Sequence, residues 1–231
     1  ESAAAAAAGP GHARTAGWMP VFFVLMWSTG FLATKAGAAH SSGTGYLLWR
    51  FGLAAAILAV VALVTRAPWP RNAREWGHLA VAGLLIHAFY LGPNFHAASN
   101  GFPVGITALI GALQPLLTAL LVSLFFGERV SRRQWTGLVL GLAGIVMVLD
   151  DRIAFDWRHP VELALVCCGL VSLTVGTLYQ RRYCGFQDLR SGTAVQLAVA
   201  TVATALLALF VVPYRVEWAP GFVAGLTWLV I

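Results

Sequence analysis

The chain has 231 residues, of which 59% are hydrophobic and 10% charged, and its formal net charge is +6. Soluble domains run at about 45–50% apolar and about 25% charged residues, so this balance excludes an ordinary water-soluble domain and points to a membrane protein. The arginines are spread over loops instead of gathering with aromatic residues in one patch, which excludes nucleic acid as a partner.

Residues 1–17 are rich in Ala and Gly and are expected to form a disordered tail. A cleaved signal peptide ending at Ala36-Gly37-Ala38 is the competing reading. Against it, the first apolar run is too long for a signal and holds Ser28, Thr29 and Lys35. Seven segments then approach the ~20 apolar residues that a bilayer crossing needs. They are about 18–38, 46–65, 76–97, 103–126, 134–149, 161–180 and 192–212. An eighth starts near Gly221 and stops in mid-run at Ile231, so the sequence is read as truncated within that helix. Cys167, Cys168 and Cys184 have neither disulfide nor metal-ligand spacing, and no cofactor or metal is expected.

Charge sets the expected orientation. Arg66, Arg71 and Arg74, then Arg129, Arg132 and Arg133, then Arg181, Arg182 and Arg190 fall in alternate loops. The opposite loops carry Arg152, Arg158 and Arg215 together with Asp150, Asp151, Asp156, Glu162 and Glu217. The positive-inside rule therefore places the N-terminus in the cytoplasm of a multi-pass inner (plasma) membrane protein, with the lipid bilayer as its partner.

From Gly101 to Asp150, two apolar runs flank a short polar hinge, Gly127-Glu128-Arg129. Pro115 in the first run frees the carbonyl of Gly111, so a kinked helix is expected, and Pro93 interrupts the preceding span in the same way. Gly137, Gly141 and Gly144 in the second run are expected to let another helix approach closely. Glu128 with Arg129 reads as an interfacial ion pair that stops the helix, a gating role being the alternative.

An internal repeat is also visible. One constant shift lays Ser28-Thr29-Gly30-Phe31-Leu32-Ala33-Thr34-Lys35 on Thr174-Val175-Gly176-Thr177-Leu178-Tyr179-Gln180-Arg181, and carries Arg50 onto Gln196 and Trp76 onto Phe222. If the unit is five helices, the odd count turns the second copy upside down, which is an inverted-topology repeat.

Several motifs now come together: Trp27-Ser28-Thr29-Gly30 with Lys35, Arg50-Phe51, Gln114-Pro115-Leu116-Leu117-Thr118, and Gly127-Glu128-Arg129 leading into Gly137, Gly141 and Gly144. In these the chain resembles the drug/metabolite transporter (DMT) superfamily, specifically its EamA-like members, from about Trp18 onward. The resemblance implies an all-α integral membrane fold, a ten-helix carrier of two inverted five-helix repeats that exports small metabolites. Residues 18–149 then form the first repeat, 150–160 a periplasmic linker, and 161–231 an incomplete second repeat truncated within the eighth helix. Family substrates range over amino acids, their derivatives and unrelated drugs.

Carrier sites of this type lie near mid-membrane, where small residues and kinks let polar groups face inward. The candidate substrate-binding residues are Trp27, Ser28 and Lys35 on the first helix, Arg50 on the second, and His87, Tyr90 and Asn94 on the third. Thr107 and Gln114 on the fourth and Ser172 and Tyr179 on the sixth complete the set. Helix packing and interhelical hydrogen bonds compete for the small and polar members. Lys35 and Arg50 either snorkel or form a basic mouth for a carboxylate or phosphate. His87 is either a packed neutral imidazole or a proton relay, which leaves the proton or the substrate's own gradient as the driving force. Pro93, Pro115, Glu128 and Arg129 are the structural or gating candidates. The function expected is a secondary transporter with a small-molecule substrate, not an enzyme. A membrane scaffold and a lipid-processing enzyme are the alternatives, and the sequence leaves the oligomeric state open.

Overall fold

The computed structural model describes residues 18–126, 131–150, 159–210 and 214–230. The Glu128–Arg129 hinge and most of the 150–160 linker lie outside them. The helices are α1 (Met19–Ala38), α2 (Gly43–Val64), α3 (Ala73–Gly83), α4 (Phe89–Ser99), α5 (Val104–Gly111), α6 (Gln114–Phe126), α7 (Arg132–Asp150), α8 (Pro160–Tyr183), α9 (Leu189–Phe210) and α10 (Pro220–Val230). A π-helical turn, Leu84–Ala88, joins α3 to α4. Among the described residues the architecture is all-helical, with one isolated bridge between Ser41 and Val216.

Local chemistry sets where these helices begin and end. Ser42 caps α2 by accepting a bond from the Gly45 N–H at 3.2 Å. Asn72 Oδ1 takes the Glu75 N–H at 2.9 Å, and Glu75 reaches back to the Arg71 N–H at 2.7 Å, a variant of the capping box. α2 ends with Arg66 in the left-handed region, φ 51°. There the Ala67 N–H bonds Ala62 O at 2.8 Å, and the Arg66 N–H bonds Leu63 O at 3.1 Å. This is a Schellman closure, made without the usual glycine. α5 and α6 meet in a break at Ala112–Leu113, and Pro115 follows at the second position of α6, where its missing N–H leaves no bond unmade. The helix is therefore interrupted beside this proline.

Among the described residues, four helical stretches are long and apolar enough to cross a membrane: Gly43–Val64, Val104–Leu124 across the α5–α6 break, Pro160–Tyr183 and Leu189–Phe210. Helices also occupy the other three expected positions, as α1, as α3–α4 and as α7. Leu53, Ile57, Val60, Leu63 and Val64 on one side of α2 and Val202, Leu206 and Leu209 on α9 are exposed, as a lipid-facing surface requires.

α2 and α9 run antiparallel and pack along their lengths, α1 packs on α10, and α8 packs on α4 and the π-turn. Tyr46, Leu47, Phe51, Phe95, Leu197, Phe222 and Leu226 form the main core between them. Glycines set the approach distances. A Cβ on Gly83 would stand 2.6 Å from the Gln196 carbonyl oxygen, and one on Gly225 would stand 2.7 Å from that of Ala33. Gly137, Gly141 and Gly144 behave differently from expectation. A Cβ at each meets no atom within 4 Å, because the described side chains of α7 are exposed.

The bundle has two distinct ends. At one, the loops before α2 and before α10 are tied by main-chain bonds. The Ser42 N–H donates to Arg215 O at 2.9 Å and the Glu217 N–H to His40 O at 2.8 Å. At the other, Ser191 Oγ donates to Pro68 O, joining the α2–α3 loop to the start of α9. Arg66, Arg71, Arg74, Arg181, Arg182 and Arg190 all lie at this second end. Here Arg190 grips Asp188 through its side chain, at 3.0 and 2.9 Å, and through its backbone N–H at 2.9 Å. Those bonds hold the Asp188 carboxyl down at about 2.

Two outcomes are expected. Gly83→Leu overpacks the α3–α9 contact and costs about 1–3 kcal/mol, read as a lowered Tm of the detergent-purified protein. Gly105→Leu, in open space, leaves Tm unchanged. The Asp188 carboxyl is depressed below the ordinary carboxylate value of about 3.9. Its contribution to stability is therefore complete above that value and lost as pH falls toward 2. The Tm gap between wild type and Asp188→Asn, measured from pH 7 down to pH 2.5, is expected to shrink on the acid side.

Candidate functional site

The site is organised by breaks in one helix ladder. In the π-turn the Phe89 N–H bonds Leu84 O, one residue further back than in an α-helix. The Leu85 carbonyl accepts the Ser172 hydroxyl from α8 at 2.9 Å. One turn later Pro93 has no N–H to give, so the Phe89 carbonyl loses its helical donor. α8 meets this distorted stretch with its small residues. A Cβ on Gly169 would lie 3.2 Å from Tyr90 O and 3.8 Å from Phe89 O. One on Gly176 would lie 2.8 Å from the Leu85 and Ile86 side chains. Ser172 thus serves the interface between helices.

Beside this break, α2 and α4 bring a polar group into an aromatic setting. The Arg50 guanidinium stands 5.8 Å above the Phe95 ring. Phe95 stacks on Tyr46 at 5.0 Å, and His87 meets the Phe51 ring edge-on at 6.0 Å. The Arg50 charge lies within electrostatic range of Tyr46, His87 and Tyr90. The ion pairs recorded among the described residues, His159–Glu162 and Arg190–Asp188, do not involve Arg50. Among the described residues, four buried polar side-chain atoms have no hydrogen-bond partner: Tyr46 Oη, His87 Nε2, Asn94 Oδ1 and Thr107 Oγ1. Each such atom costs about 1–3 kcal/mol.

Of the residues expected from sequence, Arg50, His87 and Tyr90 come together where α2 meets the π-turn–α4 stretch, and Asn94, one turn past Tyr90, has its Oδ1 beside Gly169 of α8. Thr107 is buried on α5. Gln114 opens α6, where its carbonyl accepts the Thr118 hydroxyl at 2.8 Å. Tyr179 bonds His78 Nδ1 at 2.7 Å, toward the arginine-rich end. Ser28 and Lys35 are exposed on α1. The Trp27 side chain, Glu128 and Arg129 lie outside the described residues.

Sequence reading missed Tyr46 and Phe95, the aromatic shelf under Arg50; the available signal was Tyr46 one turn ahead of Arg50 on the same face. It also missed Gln196 as an interior polar residue. Gln196 is 3% exposed, and its amide donates to Gln187 Oε1 at 3.1 Å and to Gln180 Oε1 at 3.5 Å. A separate groove of about 680 Å³ lies between α2 and α9. Ala55, Ala59, Leu84, Ala194 and Ala198 line it, and no charged residue does.

Comparison with known proteins follows the same lines. Residues 16–150 match the EamA-like transporter family. The chain is 31% identical over 150 residues to an inner membrane transporter of Escherichia coli strain K12, YedA, described as uncharacterized; the match spans 65% of this chain and 48% of that protein. It is 30% identical over 170 residues to the aromatic amino acid exporter YddG of Ancylobacter novellus, spanning 69% of this chain and 56% of that one. It therefore spans about half the length of these relatives. A solved crystal structure superposes with a TM-score of 0.67 at 24% identity, over 90% of this chain and 71% of the other, a likeness of fold.

The Ser172 bond yields a prediction. Ser172→Ala leaves the Leu85 carbonyl without its donor across the helix pair and is expected to lower stability by about 0.6–1.7 kcal/mol. A shift in the detergent-unfolding midpoint checks it, and Ser172→Thr, which keeps a hydroxyl, tests whether the bond rather than the volume matters.

Proposed function

The chain belongs to the EamA-like transporter family, and from that premise we propose that it acts as a secondary carrier exporting a small organic metabolite, amino-acid-like or drug-like, by alternating access. The observation that carries this reading is the Arg50, His87, Tyr90 and Asn94 cluster. It collects a cation and two unpaired buried polar atoms inside a membrane bundle, where groups without a ligand-binding role are normally paired. The relative described as an aromatic amino acid exporter makes an amino-acid-like substrate the leading class.

The ten-helix, inverted-repeat architecture has three supports. The shift that lays Ser28 on Thr174 carries Gly43–Val64 residue for residue onto Leu189–Phe210. Those two helices are antiparallel and pack on each other. Their flanking contacts also exchange: α1 sits against α10, as α8 sits against the α3–α4 stretch. A two-fold axis in the membrane plane produces this pattern. The gathering of six arginines at one end favours that end, and with it the N-terminus, as cytoplasmic in an inner membrane. Breaks at the π-turn, at Pro93 and at Leu113 supply the bends about which helices tilt as the carrier alternates.

Counterflow of radiolabelled amino acids into proteoliposomes holding the full-length protein tests the carrier reading. Transport of at least one substrate is expected, and a flat response across a broad metabolite panel would exclude it. His87 is the proposed proton path. With one proton per substrate, a one-unit pH gradient supports about tenfold accumulation. His87→Gln is expected to abolish that accumulation, while counterflow, which needs no proton gradient, persists at a reduced rate. A variant that still accumulates substrate assigns His87 to packing against Phe51.

A further inference from the structure

Arg50 poses an energetic problem that the described residues leave unsolved. Withdrawing a guanidinium from water costs several kcal/mol after relaxation. The contact with Phe95 returns about 0.5–2 kcal/mol. No carboxylate or hydrogen-bond acceptor among the described residues supplies the rest. Arg50 is half-buried; Phe95 is 2% exposed and stacks on Tyr46, which has no exposed surface, so one face of the guanidinium lies against the protein core. Arg50 also lies seven positions into α2, about 10 Å along the axis from its first residue.

We infer that Arg50 is the anchor for a carboxylate group on the transported molecule, held by a planar two-bond pairing with the guanidinium above the Phe95–Tyr46 shelf. This deepens the carrier reading and rests on it. Charge decides for a carboxylate over a phosphate. One guanidinium balances one negative charge, whereas a phosphate dianion needs a second cation. Lys35 is exposed on α1, and the six arginines of the opposite end lie at the ends of other spans. The neighbouring orphans suit the rest of such a molecule. His87 Nε2 is an acceptor when the proton sits on Nδ1 and can take a hydrogen bond from an amine beside the carboxylate, and Asn94 Oδ1, beside Gly169 of α8, is a further acceptor in the same span. Tyr90 and the Phe51 ring supply apolar and aromatic surface next to them. Gln196, the repeat counterpart of Arg50, is neutral and bonded within its own helix pair, so the anion site is asymmetric between the two units.

The test uses the full-length protein in proteoliposomes and in detergent, with phenylalanine, leucine and 3-phenylpropionate as carboxylate probes and phenylalaninamide and phenylethylamine as matched molecules without one. Wild type is expected to carry, and to be thermally stabilised by, carboxylates in preference to their matched partners. Arg50→Lys keeps the charge but loses the fork geometry, and is expected to weaken carboxylate binding about tenfold. Arg50→Gln is expected to abolish it, while the stabilisation of Gly105→Leu by the same probes stays at the wild-type level. If Arg50→Gln does not fold, Arg50→Lys carries the test. Equal binding of the amide or amine, or unchanged carboxylate affinity in Arg50→Lys, overturns the inference. Transport of a molecule without a carboxylate, with no carboxylate carried or bound, overturns it while the carrier reading stands. Stabilisation by carboxylates that depends on Arg50, without any transport, upholds the site and removes the carrier reading; neither binding nor transport removes both. Loss in Arg50→Gln of stabilisation by phosphatidylglycerol, and not by the carboxylates, assigns the anion to a lipid headgroup and overturns it too.

Discussion

The demand that every main-chain polar group find a partner away from water governs this bundle. In hydrocarbon an unpaired N–H or C=O costs several kcal/mol, so helices are the default and any break in their ladder must be answered by a neighbour. The chain breaks its third span at the π-turn and at Pro93, and α8 hydrogen-bonds the first break and packs closely over the second. Ser172 gives a hydroxyl to Leu85 O, and the bare face of Gly169 lets α8 close over the carbonyls of Phe89 and Tyr90. Without that glycine–serine–glycine face, α8 could not approach and the distorted helix would straighten or unfold. The same distorted stretch brings His87 and Tyr90 beside α2. Placement of the candidate site is thus a consequence of how two helices settle their hydrogen bonds.

Much of this was legible in the sequence, for identifiable reasons. Apolar length located the helices, because a chain without a polar face has few alternatives to spanning. Pro115 announced the break between α5 and α6, since a missing N–H is a covalent fact that packing cannot repair. The steps of three and four among His87, Tyr90 and Asn94 placed them on one face, and Gly169, Ser172 and Gly176 on another.

What stayed hidden depends on tertiary context. The π-turn contains neither Pro nor Gly, and its extra residue is stabilised by α8, far away in sequence. Tyr46 and Phe95 looked like any other aromatic residues in apolar runs, because helices apolar all round give no stripe to say which side is inner. Arg66 closes α2 in a left-handed conformation that its residue type does not advertise. Conversely, the Gly137, Gly141 and Gly144 spacing promised an approach that the surroundings of α7 do not show.

The two ends of the bundle are fastened by different materials. Before α2 and α10 the tie is main chain to main chain, Ser42 to Arg215 and His40 to Glu217. At the arginine-rich end it is made by side chains, the Ser191 hydroxyl on Pro68 O and the Tyr179–His78 pair. A main-chain bond has no rotamer to flip and yields only if the backbone itself moves, whereas a hydroxyl or phenol lets go by a single torsion. By that chemistry, the described bundle loosens at least cost at the end beside the arginines.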